Sequence, residues 1–540
     1  MKRDINDLTG RIFDVLIVGG GIHGAAVARE CSQHGMSAVL VEKGDFGHAT
    51  SANSLKIMHG GLRYLQHLNI RRMRDSILAR REMLRLAPHY VRPLGCVIPN
   101  SGFGVQGNML MRLALGLNDM IGFDRNNGVD AANRLPAGKI LSQRQCKEIL
   151  PGLADGSCTG ASLWYDALAV NSERLTLSMV QAATACGAKA ANYTELRTVL
   201  LENGKVTGGL VYDLQSGTEY TVQARTVVNA GGPWLDAIQS STGIAPAGSG
   251  WAKAVNIIVK KTLFGPYAVG LRGESNYTDR DSIIRKKGRF FFFVPWRGYT
   301  IIGTTYTPFS GEPDAVRANL EDINELVREV NAMYPAAALT RADVTGAHAG
   351  LVPMSHALPG SGEDVQLAKE SEVVDHGQTD PAVKGFFSIR GVKYTTGLRV
   401  AEEAGRKIRL YLKKREGSCI RAAEGAYREN RSTILPNEFR FLAERYGPLA
   451  ATVYAYVRKN DEKISHDPLL HLGEVDYFMA EEMACTLGDV VFRRCELATA
   501  ECPEDKVLIR IAKHMGAFFG WSEERIAREI MDVSRRFDFS

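Results

Sequence analysis

The sequence has no Cys-x-x-Cys pair, and its nine cysteines (Cys31, Cys96, Cys146, Cys158, Cys186, Cys419, Cys485, Cys495 and Cys502) are scattered. An odd, unpaired set argues against a disulfide framework and a thiolate metal site. No metal is therefore expected, and a reducing, cytoplasmic setting is. There is no apolar run of the ~18 residues a spanning helix needs. The opening MKRDINDLTGR carries acids and no apolar core, so a secretory signal is not expected. There is no block of like charge either. A net charge of +6 spread over 540 residues is too diffuse for a nucleic-acid surface. It suits small anions, or weak attraction to an anionic membrane. Internal repeats and low-complexity tracts are also missing. What remains is a soluble globular composition, 45% hydrophobic and 23% charged, long enough for two or three structural units.

Residues 13–18, FDVLIV, read as a buried parallel strand, and GGGIHGAAVARECSQHG after them as a glycine turn opening a helix. SAVLVEKG supplies a second strand ending in Glu42, completing a βαβ unit. The spacing of Ile70, Met73, Ile77 and Leu84 predicts a helix over 70–86. Its other face carries Arg71, Arg72, Arg74, Arg80, Arg81 and Arg85 and is expected to be solvated. The apolar stretch 108–123 is too short to span a membrane. A buried helix is the first expectation for it and an interfacial helix the alternative. Between 195 and 230, ENGK and QSGT turns separate β-rich runs, as in a β-meander. Residues 251–305 are again β-rich, a helix follows to about 333, and 435–540 read as wholly helical.

Gly19-x-Gly21-x-x-Gly24 follows a strand and opens a helix, with Glu42 eighteen residues after Gly24. The first glycine makes the turn, the second lets backbone approach a pyrophosphate, and the third lets helix pack on strand. The helix N-terminus offers N–H groups to phosphate, and Glu42 can accept from ribose hydroxyls. The pattern points to a dinucleotide without choosing between NAD and FAD. The unit's early position and the later strand-turn VVNAGGPW favour FAD.

These motifs, with TSANSLKIMHGGLRYL, VPWRGYTIIGTTYT, GVKYTTGLRVAEEA and YFMAEEMACTLGDVVFRR, resemble the FAD-dependent glycerol-3-phosphate dehydrogenases of the D-amino-acid-oxidase superfamily. The resemblance runs from about 12 to 535. It implies an α/β flavoprotein with a Rossmann-like FAD domain, a β-rich substrate domain and an all-helical C-terminal domain. On that basis the FAD domain takes residues 1–90, 166–240 and 346–410. The substrate domain takes 91–165 and 241–345, a linker 411–434, and the helical domain 435–540.

The implied activity is oxidation of sn-glycerol 3-phosphate to dihydroxyacetone phosphate. Hydride passes to the flavin, and electrons then go to a quinone or another acceptor. Peripheral membrane contact and a homodimer are further implications, with the phosphorylated polyol as partner. The resemblance places Gly19, Gly21, Ile22, His23, Gly24, Glu42 and Lys43 around the cofactor. It adds Thr50, Ser51, Asn53, Ser54, Lys56, His59, Gly60, Gly61 and Leu62, then Ala230, Gly231, Trp234 and Gly303, and finally Gly391, Lys393, Tyr394 and Thr395. His23 reads as a solvent-side or flavin-edge residue rather than a base, and His59 equally as a backbone-orienting or a catalytic residue. Arg63 and Tyr64 match substrate-site positions, Lys393 a lysine by flavin and substrate, and Lys369 a position where an arginine commonly meets phosphate.

Two positions depart from the family pattern. Val352 in HAGLVPM stands where an arginine is expected, and Asn256 in KAVNIIVKK where a histidine is. Losing the arginine removes a charge and up to five donors. His348, where the family often has tyrosine, is the candidate base in place of the lost histidine. The alternative is a sibling FAD-dependent oxidoreductase that acts on another hydroxylated or amino substrate.

Overall fold

The computed structural model describes the chain except residues 63, 65–68, 102–106, 154–157, 247–249, 274–287, 356–364, 416, 418–434 and 540. Arg63, Cys419 and most of the expected linker lie outside the described residues. Two compact units form. The first comprises Met1–Ala52, Glu173–Gly248 and Lys369–Asp538; the second Asn53–Ser172, Ser249–Ala368 and Phe539–Ser540.

The first unit is built on a six-stranded sheet. Its order is Glu372–Asp375, Phe386–Arg390, Val227–Asn229, Val15–Val18, Ala38–Val41 and Lys189–Ala191. All pairings are parallel except the one made by Glu372–Asp375. The runs VLIV and AVLV are buried at every residue, which is why they read as unbroken apolar stretches. Helix Ile22–Gln33 follows the first strand and packs on helix Gly397–Leu412. The 195–230 region is a meander: Thr194–Glu202, Lys205–Asp213 and Thr218–Ala224 pair antiparallel in sequence.

The C-terminal part is helical, with one exception. Lys463–His466 and Leu469–His471 form a two-stranded hairpin around Asp467-Pro468. Its helices pack around Leu442, Val453, Phe478, Leu508 and Met515, all fully buried.

One ion cluster ties this part to the loop after Glu42. Asp45 accepts from Arg494 Nη1 (2.7 Å) and Nη2 (2.8 Å) and from Arg493 Nε (2.5 Å). Arg493 also donates to Asp489, which accepts from the Tyr193 hydroxyl. Arg174 clasps Glu482 through Nη1 (3.0 Å) and Nη2 (2.7 Å).

The second unit is a nine-stranded sheet. Its main path runs Val344–Pro353, Trp251–Val259, Tyr299–Phe309, Phe290–Trp296, Tyr267–Arg272, Val91–Asn100, Gly160–Ala169 and Ile57–Met58. Alternation divides it into two faces. Val255, Ile257, Phe291, Phe293 and Ile302 bury one face against Ile323, Leu326 and Val330 of helix Leu320–Met333. Lys253 points the same way and pairs with Asp322 (2.7 Å). Asn256, His348, Phe292 and Trp296 fall on the opposite face.

Two expectations need correction. The arginines of helix Ile70–Leu86 are not uniformly solvated: Arg74 and Arg81 both hold Asp124, and Arg80 is buried on Asp166. Carboxylates brought near by the fold pair with them, and Arg80 is taken out of solvent. Helix Asn108–Ile121 is not a buried helix. Leu115 is its buried residue, while Met109 is 80% exposed and Phe123, just beyond its end, 79%. Its apolar residues outnumber the one side that packs against the sheet.

Asp45→Asn is expected to destabilise the protein by about 3–5 kcal/mol, because the buried Arg494 and Arg493 lose a shared carboxylate and keep only Glu482 and Asp489 as counter-charges. Urea unfolding followed by far-UV circular dichroism measures it; an unchanged midpoint contradicts the role assigned to the cluster.

Candidate functional site

In the first unit the residues converge at the C-terminal ends of parallel strands. Gly19 has φ of +102°, and a Cβ there would lie 2.6 Å from the Ala230 carbonyl oxygen. At Gly24 a Cβ would lie 1.8 Å from the Gly19 oxygen. Glycine is therefore dictated at both places by a close crossing of strand, turn and helix. Gly21 caps the helix without a side-chain hydrogen bond, leaving the first turn's N–H groups directed at the turn. One of them, on Ile22, donates to Ser51 Oγ (3.0 Å).

Glu42 is buried at the end of the next strand. Its carboxylate accepts from Gly20 N (2.6 Å) and Gly44 N (2.8 Å). Two N–H groups do not exhaust a carboxylate's lone pairs, so a ribose hydroxyl can still donate to it. Lys43 Nζ sits 4.2 Å from the centroid of the Trp234 ring, beside Ala230 and Gly231 at the third strand's end.

His23 lies inside the turn. Its Nε2 is buried with no hydrogen-bond partner, and burial lowers its pKa to about 4. It is neutral at physiological pH. A Cβ on Gly391 would lie 2.2 Å from its ring. The GVKYTT segment thus closes over the glycine turn, and Tyr394 fixes it by sharing a hydrogen bond with Thr176 (2.9 Å). Lys369, Lys393 and Thr395 belong to this unit.

The 50–65 stretch is divided. Thr50 and Ser51 belong to the first unit; Asn53, Ser54, Lys56, His59, Gly60, Gly61, Leu62 and Tyr64 to the second. There Lys56 is buried at φ +63°. Its Nζ donates to Ser172 Oγ (2.7 Å) and lies 5.6 Å from the Trp296 ring. Trp296 meets the His348 ring edge-on at 6.0 Å.

His348 Nδ1 is 3.1 Å from the Ser54 carbonyl oxygen. A carbonyl only accepts, so Nδ1 carries the proton and Nε2 the lone pair. Asn256 is the direct cross-strand partner of His348. Its Oδ1 accepts from Thr304 (2.6 Å), and it fills the space a Cβ on Gly303 would need. Asn256 is packing; His348 is the imidazole.

A second imidazole stands on the same face. His59 Nδ1 meets Asp166 Oδ2 (3.3 Å) and its side chain is 51% exposed. Burial pushes the Asp166 carboxyl up, but the His59 hydrogen bond, Arg80 and the Gly60 N–H outweigh it and bring its pKa to about 2. Asp166 and Trp296 were not marked in the sequence as site residues. Each is an ordinary member of an alternating strand, and only the pairing shows what it touches. Val352 packs with Tyr306, Ala252 and Met354 in an apolar cluster. Among the described residues no cluster of potential ligands could hold a metal.

Residues 14–398 match the family model described as FAD dependent oxidoreductase. The chain belongs to that family. Residues 418–526 match the C-terminal domain of alpha-glycerophosphate oxidase. This oxidoreductase is 27% identical to a glycerol-3-phosphate dehydrogenase of Synechocystis sp. over 98% of this chain and 97% of the relative. It is 28% identical to the mitochondrial enzyme of Mesocricetus auratus, covering 97% of this chain and 73% of that one. Among solved structures, the glycerol-3-phosphate dehydrogenase from Bacillus halodurans complexed with FAD superposes with a TM-score of 0.73 at 25% identity, covering 99% and 96% of the two chains. The L-alpha-glycerophosphate oxidase from Mycoplasma pneumoniae shares the fold over 76% of this chain and 97% of its own, with a TM-score of 0.53 at 16% identity.

The oxidoreductase's residues fit FAD on their own geometry. The glycine crossing leaves backbone exposed to a pyrophosphate, Glu42 faces the ribose position, and the orphaned His23 Nε2 supplies a partner for a polar group. Gly391→Ala is expected to displace His23 and lower flavin occupancy several-fold while far-UV circular dichroism stays unchanged. The flavin-to-protein absorbance ratio after dialysis measures it, and full occupancy contradicts the close packing described.

Proposed function

We propose that this FAD-dependent oxidoreductase oxidises the secondary alcohol of sn-glycerol 3-phosphate to dihydroxyacetone phosphate and passes the electrons to a quinone or another acceptor. The observation that carries the reading is His348. It stands opposite the position where the related dehydrogenases lead one to expect a base, in the tautomer that leaves Nε2 able to take a proton. Full-length similarity to glycerol-3-phosphate dehydrogenases supports the substrate.

His348 Nε2 accepts the hydroxyl proton. The Ser54 carbonyl holds Nδ1–H throughout and stabilises the imidazolium as it forms. Trp296 fixes the ring plane and keeps bulk water from that edge. Bound FAD supplies the hydride acceptor. Lys393 provides positive charge for the reduced cofactor, and Arg63 and Tyr64 contact the substrate, as the resemblance implies. The outward apolar side of helix Asn108–Ile121 supports peripheral contact with a membrane. Among the described residues no helix is long and apolar enough to cross one.

Mixing the holoprotein anaerobically with sn-glycerol 3-phosphate is expected to bleach the flavin's visible band. In His348→Ala, with flavin content retained, the reduction rate falls by about 10²–10⁴. The wild-type rate rises with pH through one ionisation that the variant lacks. A variant that keeps full turnover removes His348 as the base. A wild-type protein that stays oxidised points to another hydroxylated or amino substrate.

A further inference from the structure

Within the first unit, residues 42–48 bind in two directions. Three of them hold the glycine turn. Glu42 accepts from Gly20 N, and Gly47 N donates to the Gly20 carbonyl (3.0 Å). Phe46 is buried, and a Cβ on Gly20 would lie 2.6 Å from its ring. The Asp45 side chain goes instead to the ion cluster on the π-helical turn Asp489–Arg494. We propose that Asp45 is a positioning residue for the cofactor: anchored on that turn, it holds loop 42–48 in the shape that presents Glu42 and the glycine turn to FAD, so that the C-terminal helical part sets the affinity for FAD. The proposal needs only the family assignment and stands whichever substrate is oxidised.

The loop needs an anchor because of its own composition. Gly44 and Gly47 flank Asp45 and Phe46, and Gly47 takes φ of +74°. Glycine at both ends opens a wide choice of backbone conformations. Glu42 is exposed to that choice directly, since one of its two backbone donors is Gly44 N (2.8 Å), inside the same loop. A shift at Gly44 therefore turns the carboxylate that is to meet the ribose. Gly44 is also held from the far side. Its carbonyl accepts from Tyr193 N (2.8 Å), and the Tyr193 hydroxyl donates to Asp489 (2.6 Å) of the same π-helical turn.

The two carboxylates are filled differently. Asp45 accepts from Arg494 Nη1 and Nη2, Arg493 Nε and Asn192 Nδ2. Four bonds match the roughly four lone-pair sites of a carboxylate, which leaves Asp45 nothing for a ligand. Glu42, with its two backbone donors, keeps room for one. Asp45 is thus the anchor and Glu42 the ligand group. The anchor's partners are themselves fixed. Arg494 Nη2 donates to the Glu482 carbonyl (2.7 Å), and Arg493 to Asp489. Asn192 Nδ2 donates also to the Met483 carbonyl (2.8 Å), a neutral strut beside the ionic one. Partners that cannot shift pass their position on to the loop. The contact joins the two matched regions, since Asp45 falls within 14–398 and the arginines within 418–526.

The test dilutes full-length holoprotein and reads released FAD by its fluorescence, which gives the dissociation constant. Amide hydrogen exchange across residues 42–48 is the local readout. Asn192→Ala removes one neutral donor from Asp45 and keeps every ion pair. It is expected to raise the FAD dissociation constant about threefold to tenfold, the range for one hydrogen bond, and to quicken exchange at Gly44 and Gly47. Asp45→Asn is expected to raise the constant further. Glu474→Gln is the control. It alters an equally buried carboxylate of the helical part, whose partners are Tyr446 (2.6 Å), Arg445 (2.8 Å) and His471 rather than the loop. It is expected to lower thermal stability while FAD affinity and loop exchange stay at wild-type values. Asn192→Ala and Asp45→Asn proteins that bind FAD as wild type does overturn the proposal. So does a Glu474→Gln protein that loosens FAD by the same factor, since affinity then follows general stability. If Asp45→Asn fails to fold, the comparison of Asn192→Ala with Glu474→Gln decides.

Discussion

The buried contact between Asp45 and the adjacent pair Arg493 and Arg494 is the constraint on which the first unit depends. These groups are separated by more than four hundred residues in sequence and are almost wholly removed from water. Desolvating them is costly, and only mutual satisfaction makes the arrangement tolerable. Asp45 accepts three guanidinium N–H bonds and a fourth bond from Asn192 (3.0 Å). The carboxylate is thereby held charged, well below its usual range, although burial alone would raise it. Asp45 lies three residues beyond Glu42, which holds the glycine turn through Gly20. The C-terminal helices are thereby bonded to the loop that follows Glu42.

The second unit solves a different problem. Its sheet must bury one face against a helix and leave the other for polar groups. Period-two alternation does this without special residues: Val255 and Ile257 go one way and Asn256 the other. Polar side chains on the open face are then satisfied locally. Asn256 is bound by Thr304, Lys56 by Ser172, and Asp166 by Arg80, Trp164 and Gly60. A face so satisfied holds its imidazoles in fixed tautomers, which a proton-transfer site requires.

The sequence shows what is local and hides what is paired. The βαβ unit and its glycine turn were legible because strand, turn and helix are consecutive and the glycines have a steric reason to be there. The meander was legible from its turns. The helix Asn108–Ile121 was misread because apolar content reports how much surface could be buried, not how much the neighbours cover. The arginines of Ile70–Leu86 were misread for the converse reason: Asp124 and Asp166 lie far along the chain, and nothing periodic announces them. Val352 and Asn256 were visible as departures, but their consequences were not, since these depend on which strand lies beside which.

That dependence on register gives the departures a common logic. Residues directly opposed on neighbouring antiparallel strands have Cα atoms about 4.5–5.5 Å apart. A side chain can therefore move to the adjacent strand while its functional atoms remain in nearly the same place. The imidazole of His348 stands one such step from position 256, on the same face and in the same row. The vacated position is filled by an asparagine that closes against Gly303.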